Sequence, residues 1–157
     1  MQPLLADRRL LRQRIRAALD TLVAMEEVDN TRIAVMGFCF GGLCALDLAR
    51  SGADIVGAAS FHGILKKPDD LGIHPIQAKV LVMHGYDDPM VRPADIEAFC
   101  AEMTTADVDW QVHMYGHTQH AFTNPQAHDV EHGLMYDAMA TRRSMQLLVD
   151  FLEEIFS

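Results

Sequence analysis

Cys39 stands in the run Gly37-Phe38-Cys39-Phe40-Gly41-Gly42. Strand formers (Arg32 to Met36) lead into that run and helix formers (Leu43 to Ala49) lead out of it. A G-x-C-x-G at such a junction reads as a nucleophile elbow that carries a thiol. The turn must be so sharp that its central residue takes strained backbone angles. Glycines two positions to either side remove Cβ atoms that would collide there. The corner lifts the thiol clear of the sheet. It also sets the Phe40 backbone N–H at the positive end of the following helix, where it favours a thiolate and can donate to a developing oxyanion. The plainer reading is a buried, inert cysteine in a tight turn. Strand, glycines and helix in immediate succession favour chemistry.

A thiol nucleophile needs a base within hydrogen-bond reach, and the base needs an orienting acid. Asp87 and Asp88 adjoin one another after one apolar run, and His117 and His120 follow another. The chain order is cysteine, acid, histidine, and residue type alone leaves either acid and either base open. His62, His84 and His113 read as structural. His128 and His132 are four apart, but in a stretch that reads as loop, so no zinc pair and no cofactor is expected. Cys44 and Cys100 read as buried and inert. With no C-x-x-C, and with Cys44 five positions along the helix from Cys39, thiol redox chemistry is disfavoured.

The groups must be positioned by elements that alternate. Residues 4 to about 27 show helical spacing of Leu4, Leu11, Ile15, Leu19 and Leu22, with Arg8, Arg9, Arg12 and Arg16 on a solvated face. Strands are expected at 32–36, 55–61, 79–84 and 108–115, the last near a sheet edge because apolar and polar residues alternate in it. A polar loop runs through Lys66-Lys67-Pro68-Asp69-Asp70, a helix starts at Pro93, and a last helix carries Ala140, Met145, Leu148, Leu152 and Phe156. Strand and helix in alternation imply a parallel sheet. Its reactive groups gather at the carboxyl edge, where Cys39, Asp87/Asp88 and His117/His120 all fall.

The 157 residues suit one domain, 1–157, with no linker or repeat. A formal net charge of −9, from 13 basic and 22 acidic residues, argues against nucleic acid or an anionic membrane as partner. Three cysteines at no framework spacing among ten methionines, and no apolar leader, point to the cytoplasm.

From about Val28 onward the chain resembles the dienelactone hydrolase family of α/β-hydrolases. The matching pieces are Gly37 to Gly42, His84-Gly85-Tyr86-Asp87-Asp88-Pro89-Met90-Val91 and His120-Ala121-Phe122-Thr123-Asn124-Pro125. The resemblance selects Asp88, three residues after the strand-end glycine, and His120, which precedes a small residue and Phe. It implies a Cys39–His120–Asp88 triad with Phe40 N–H in the oxyanion hole. Phe38, Met90 and Phe122 are the candidate pocket residues. The implied reaction is cleavage of an ester or lactone through a thioester. Against the family pattern the chain looks short at its N-terminus: about four parallel strands flanked by helices are expected, without the loop that supplies a second oxyanion donor. Thr123-Asn124 stands where the family's arginine is expected, which widens the substrate to carboxylesters in general. Ile33 to Met36 would then form an open sheet edge, suited to a second copy of the chain or to the rest of a longer protein. The other reading is a weak or inactive family member that acts as a binding or scaffold domain.

Overall fold

The structure, a computed structural model, describes residues 2–68 and 74–157; Asp69 and Asp70, the end of the expected polar loop, lie outside the described residues. Its elements in chain order are α1 (Gln2–Ala6), α2 (Arg8–Val23), β1 (Ala34–Phe38), α3 (Phe40–Arg50), β2 (Gly57–Phe61) and β3 (Lys79–Gly85). These are followed by α4 (Pro93–Thr105), β4 (Trp110–Tyr115), β5 (His128–Asp129), β6 (Leu134–Met135) and α5 (Ala138–Ile155). Strands β1 to β4 form one parallel sheet in the order β1-β2-β3-β4. The α/β architecture with four parallel strands is therefore as the alternating pattern predicts.

Alternate residues of the two central strands feed two cores. Ala58, Val80 and Val82 face α2, α3 and α4 through Leu19, Leu46, Leu48 and Phe99. Ala59, Phe61, Leu81 and Met83 face α5 through Leu148 and Phe151. Both faces are covered, which is why β2 and β3 read as continuous apolar runs. β1 and β4 are the outer strands, and Met36 and Phe38 on β1 are exposed. No helix among the described residues is long and apolar enough to cross a membrane.

Three local expectations need correction. The N-terminal helix is two helices, because the Asp7 carboxylate accepts the Leu10 N–H at 2.9 Å and starts α2 afresh. Arg8 leaves the solvated face: its Nε and Nη2 donate to Asp47 at 2.6 and 2.7 Å. Asp47 is fully buried inside α3, and a carboxylate there must be paired. Arg50 completes the network by donating twice to Glu102, at 2.9 and 2.8 Å, and to the Leu65 carbonyl at 2.7 Å, so that α2, α3 and α4 are tied together. The stretch that holds His128 and His132 is not all loop either, since β5 pairs antiparallel with β6 and His120 bridges Leu134.

Candidate active site

The elbow forms at the end of β1. Cys39 has φ 52° and ψ −114°, the strained conformation the glycine spacing predicts. Its N–H donates to the Phe61 carbonyl at 2.9 Å, which extends the β1–β2 ladder up to the corner. The glycines act differently from expectation. A Cβ on Gly37 would lie 2.1 Å from the Gly41 carbonyl carbon, so Gly37 is required. A Cβ on Gly41 would meet nothing within 4 Å. The second tight position is Gly42, where a Cβ would lie 2.5 Å from Ser60 Oγ on β2.

The acid and base come from the exits of β3 and β4. Tyr86 N–H bonds the Tyr115 carbonyl and Asp87 N–H bonds the Thr118 carbonyl, so the two exit loops run side by side. Gly85 permits that approach, since a Cβ there would lie 2.4 Å from Thr118 O. His120 N–H then bonds the Gly133 carbonyl, and Met135 N–H bonds the His120 carbonyl, fixing the histidine backbone on the β5–β6 hairpin.

These ties bring three side chains into line. His120 Nδ1 donates to Asp88 Oδ2 at 2.7 Å, and His120 Nε2 lies 3.1 Å from Cys39 Sγ. The Met90 N–H donates to Asp88 Oδ1 at 2.8 Å. His120 and Asp88 are buried, and Cys39 is half-buried. The neighbouring candidates separate from them: the side chain of His117 is fully exposed, 4.0 Å from Asp87.

The charges follow the geometry. The hydrogen bond from His120 lowers the Cys39 thiol, helped by the Phe40 backbone N–H and opposed by burial and by Asp88. Burial penalises a charged His120, but its bonds to Asp88 and Cys39 outweigh that, and it is pushed up to about 9. Burial raises Asp88, and its bonds to His120 and Met90 more than reverse this. The arrangement suits a thiolate–imidazolium pair at neutral pH.

Phe38 and Met90, two of the candidate pocket residues, are 39% and 50% exposed. Phe38 stacks on Phe61 at 4.6 Å between ring centroids. Phe122 is fully buried between Tyr115 and His62, so its ring backs the site instead of opening onto it. Cys44 and Cys100 are half-buried rather than sealed in the core, and desolvation raises both thiols. His132 Nδ1 bonds Asp129, and among the described residues no group of His, Cys, Asp and Glu could hold a metal ion.

Two histidines read as merely structural stand beside Cys39, His120 and Asp88. His62 has φ 39°, its ring lies edge-on to His120 at 5.1 Å, and its Nε2 is 2.8 Å from Thr123 Oγ1. Burial holds it neutral, with its pKa lowered to about 4. His84 is fully buried, with Nε2 3.5 Å from Asp88 Oδ2. Each precedes a glycine near a strand's carboxyl end, on the edge that carries Cys39; that shared placement was the available signal.

Comparison with known proteins finds one family model and several similar structures. The family model described as dienelactone hydrolase matches residues 1–156. A dienelactone hydrolase-like promiscuous phosphotriesterase from metagenomic libraries is 41% identical, with TM-score 0.89, over 99% of this chain and 65% of that one. A second solved structure, m3DLH, is 43% identical with TM-score 0.87, over 100% of this chain and 66% of its own. The chain thus spans just under two thirds of the length of both. The uncharacterized protein K02A2.1 of Caenorhabditis elegans is 35% identical over 150 residues, covering 94% of this chain and 95% of that protein.

Proposed function

The chain belongs to the dienelactone hydrolase family, and on that footing we propose that it hydrolyses carboxylic esters or lactones through Cys39, His120 and Asp88. The observation that carries this reading is the continuous line of contacts from Asp88 Oδ2 to His120 Nδ1, at 2.7 Å, and from His120 Nε2 to Cys39 Sγ, at 3.1 Å.

The Cys39 thiolate attacks the carbonyl carbon, a C–S bond forms, and the carbonyl oxygen takes the negative charge. Phe40 N–H donates to that oxyanion. The intermediate collapses, the C–O bond breaks, and the leaving oxygen takes the proton from His120 Nε2. Neutral His120 then removes a proton from water, whose hydroxide attacks the thioester. The carboxylic acid departs and the sulfur leaves as thiolate, again paired with imidazolium. Asp88 holds the His120 tautomer and orientation through both halves.

A thiolate is a good leaving group as well as a good nucleophile, so the intermediate returns to substrate unless the alcohol departs easily. Enol lactones and aryl esters meet that condition. Thr123 occupies the place of the expected arginine, and its hydroxyl is engaged by His62, which favours neutral esters.

The test is turnover of aryl esters and small lactones by the wild type, Cys39→Ala and His120→Ala. Hydrolysis by the wild type and its loss in both variants supports the reading, and equal inactivity in all three contradicts it. Aryl phosphotriesters form a second arm, because the metagenomic relative is described as a promiscuous phosphotriesterase.

A further inference from the structure

His84 lies on β3, four residues before Asp88, and its side chain is fully buried. Neither ring nitrogen completes a hydrogen bond by distance and angle among the described residues, although the Val91 carbonyl lies near enough to draw on a ring N–H. A buried polar group left that way costs free energy, so its direction is informative. Nε2 lies 3.5 Å from Asp88 Oδ2, within reach but short of hydrogen-bond geometry, and Oδ2 is the same oxygen that takes the His120 proton donor at 2.7 Å. The other oxygen is occupied by Met90 N–H. A carboxylate oxygen has two lone-pair sites, so Oδ2 can accept from both imidazoles.

We propose that His84 is a positioning residue for the hydrolytic triad, a neutral donor whose Nε2–H closes on Asp88 Oδ2 and holds the carboxylate aimed at His120. The proposal rests on the reading of Cys39, His120 and Asp88 as the reacting set. Neutrality is what makes a histidine useful at this position. A cation so close to Asp88 would compete with the His120 imidazolium for the same negative charge, whereas a neutral N–H orients the carboxylate and leaves its charge to His120.

The surroundings keep His84 neutral. Burial is the largest influence and lowers its pKa, and His120 lowers it further; Asp88 and the Val91 carbonyl pull the other way. His62, at the end of β2, is the remaining titratable neighbour, and it too is held neutral by burial. His84 and Asp88 therefore sit together at the exit of β3, with the charged His120 beside them.

Two measurements on the full chain test this. The first is the His84 tautomer, read from long-range proton–nitrogen NMR correlations of the wild type. The expected result is a neutral ring protonated at Nε2, and a ring protonated at Nδ1 overturns the proposal. The second is the pH profile of aryl-ester hydrolysis by the wild type, His84→Leu and His84→Gln. Removing one donor makes Asp88 more basic, so it grips the imidazolium harder. The alkaline limb set by His120 moves up by about half a unit to one unit in His84→Leu. For a lost hydrogen bond of ordinary strength, kcat falls about 3- to 10-fold with KM little changed. His84→Gln restores a donor near the same place and recovers most of both. An unchanged profile in His84→Leu, or equal losses in Leu and Gln variants, overturns the proposal. If the wild type hydrolyses no ester, the hydrolytic reading fails instead; the tautomer, and the His120 titration followed by NMR, still decide the role of His84.

Discussion

Cys39 and His120 are 81 residues apart in the chain, yet His120 Nε2 lies 3.1 Å from the sulfur. At that distance the imidazole lowers the pKa of the thiol. The reactivity of Cys39 towards iodoacetamide should persist well below the usual thiol range, and His120→Ala should return its midpoint to that of an ordinary cysteine. At pH 6.5 the wild type is expected to alkylate at least about ten-fold faster than His120→Ala. Equal rates would mean that the two groups do not share a proton.

Acid stability gives a separate readout. Burial keeps His62 neutral down to about 4, whereas an unfolded histidine binds a proton below its ordinary value of 6.5. Between those values the unfolded chain holds more protons, so stability falls on acidification. His84 is shifted in the same direction. The contribution of His62 is on the order of 3 kcal/mol between pH 6.5 and 4. Above 6.5 the raised His120 and the lowered Cys39 oppose one another, because the proton that one retains is the proton the other gives up. Urea denaturation against pH should therefore show a steep acid arm that flattens in His62→Phe.

The Arg8–Asp47 pair makes a prediction away from the chemistry. Arg8→Ala strips the bidentate partner from a carboxylate with no exposure, leaving among the described residues Arg50 Nη1 at 3.5 Å. The loss should be about 3 kcal/mol in denaturant melts. Arg9→Ala serves as the control for loss of a nearby arginine and should shift stability by less than about 0.5 kcal/mol.

Substrate charge is the next test. Thr123 bonds His62 where an arginine would meet a carboxylate, and Asp88 and His120 are the charged groups that act on Cys39. With a formal charge of −9 overall, a neutral aryl ester should exceed its carboxylate-bearing analogue by about ten-fold or more in kcat/KM at low salt. A carboxylated lactone turned over faster than the neutral ester would contradict that preference.

Much of this was legible along the chain, for local reasons. The elbow shows because glycine spacing and the switch from strand to helix residues all fall within seven positions. Asp88 could not be told from Asp87 by residue type. The fold separates them through the Met90 N–H, which orients one carboxylate inward, while Asp87 keeps an exposed side chain. His62 and Thr123, 61 residues apart, meet through tertiary packing that has no periodic signature. Arg8 and Asp47 do the same across 39 residues, which is why an arginine on a polar helix face proved to be the partner of a buried carboxylate. The two-residue strands β5 and β6 are too short to produce alternation, although they hold the backbone of His120.

The most direct measurement is the mass of the protein during turnover. Asp88→Asn, expected to slow deacylation by disturbing the His120 tautomer, is mixed with a p-nitrophenyl ester, quenched in acid and digested. An acyl adduct on the Cys39 peptide, absent from Cys39→Ala, is the predicted result. Ester hydrolysis that continues in Cys39→Ala, or an adduct on any other residue, would contradict it.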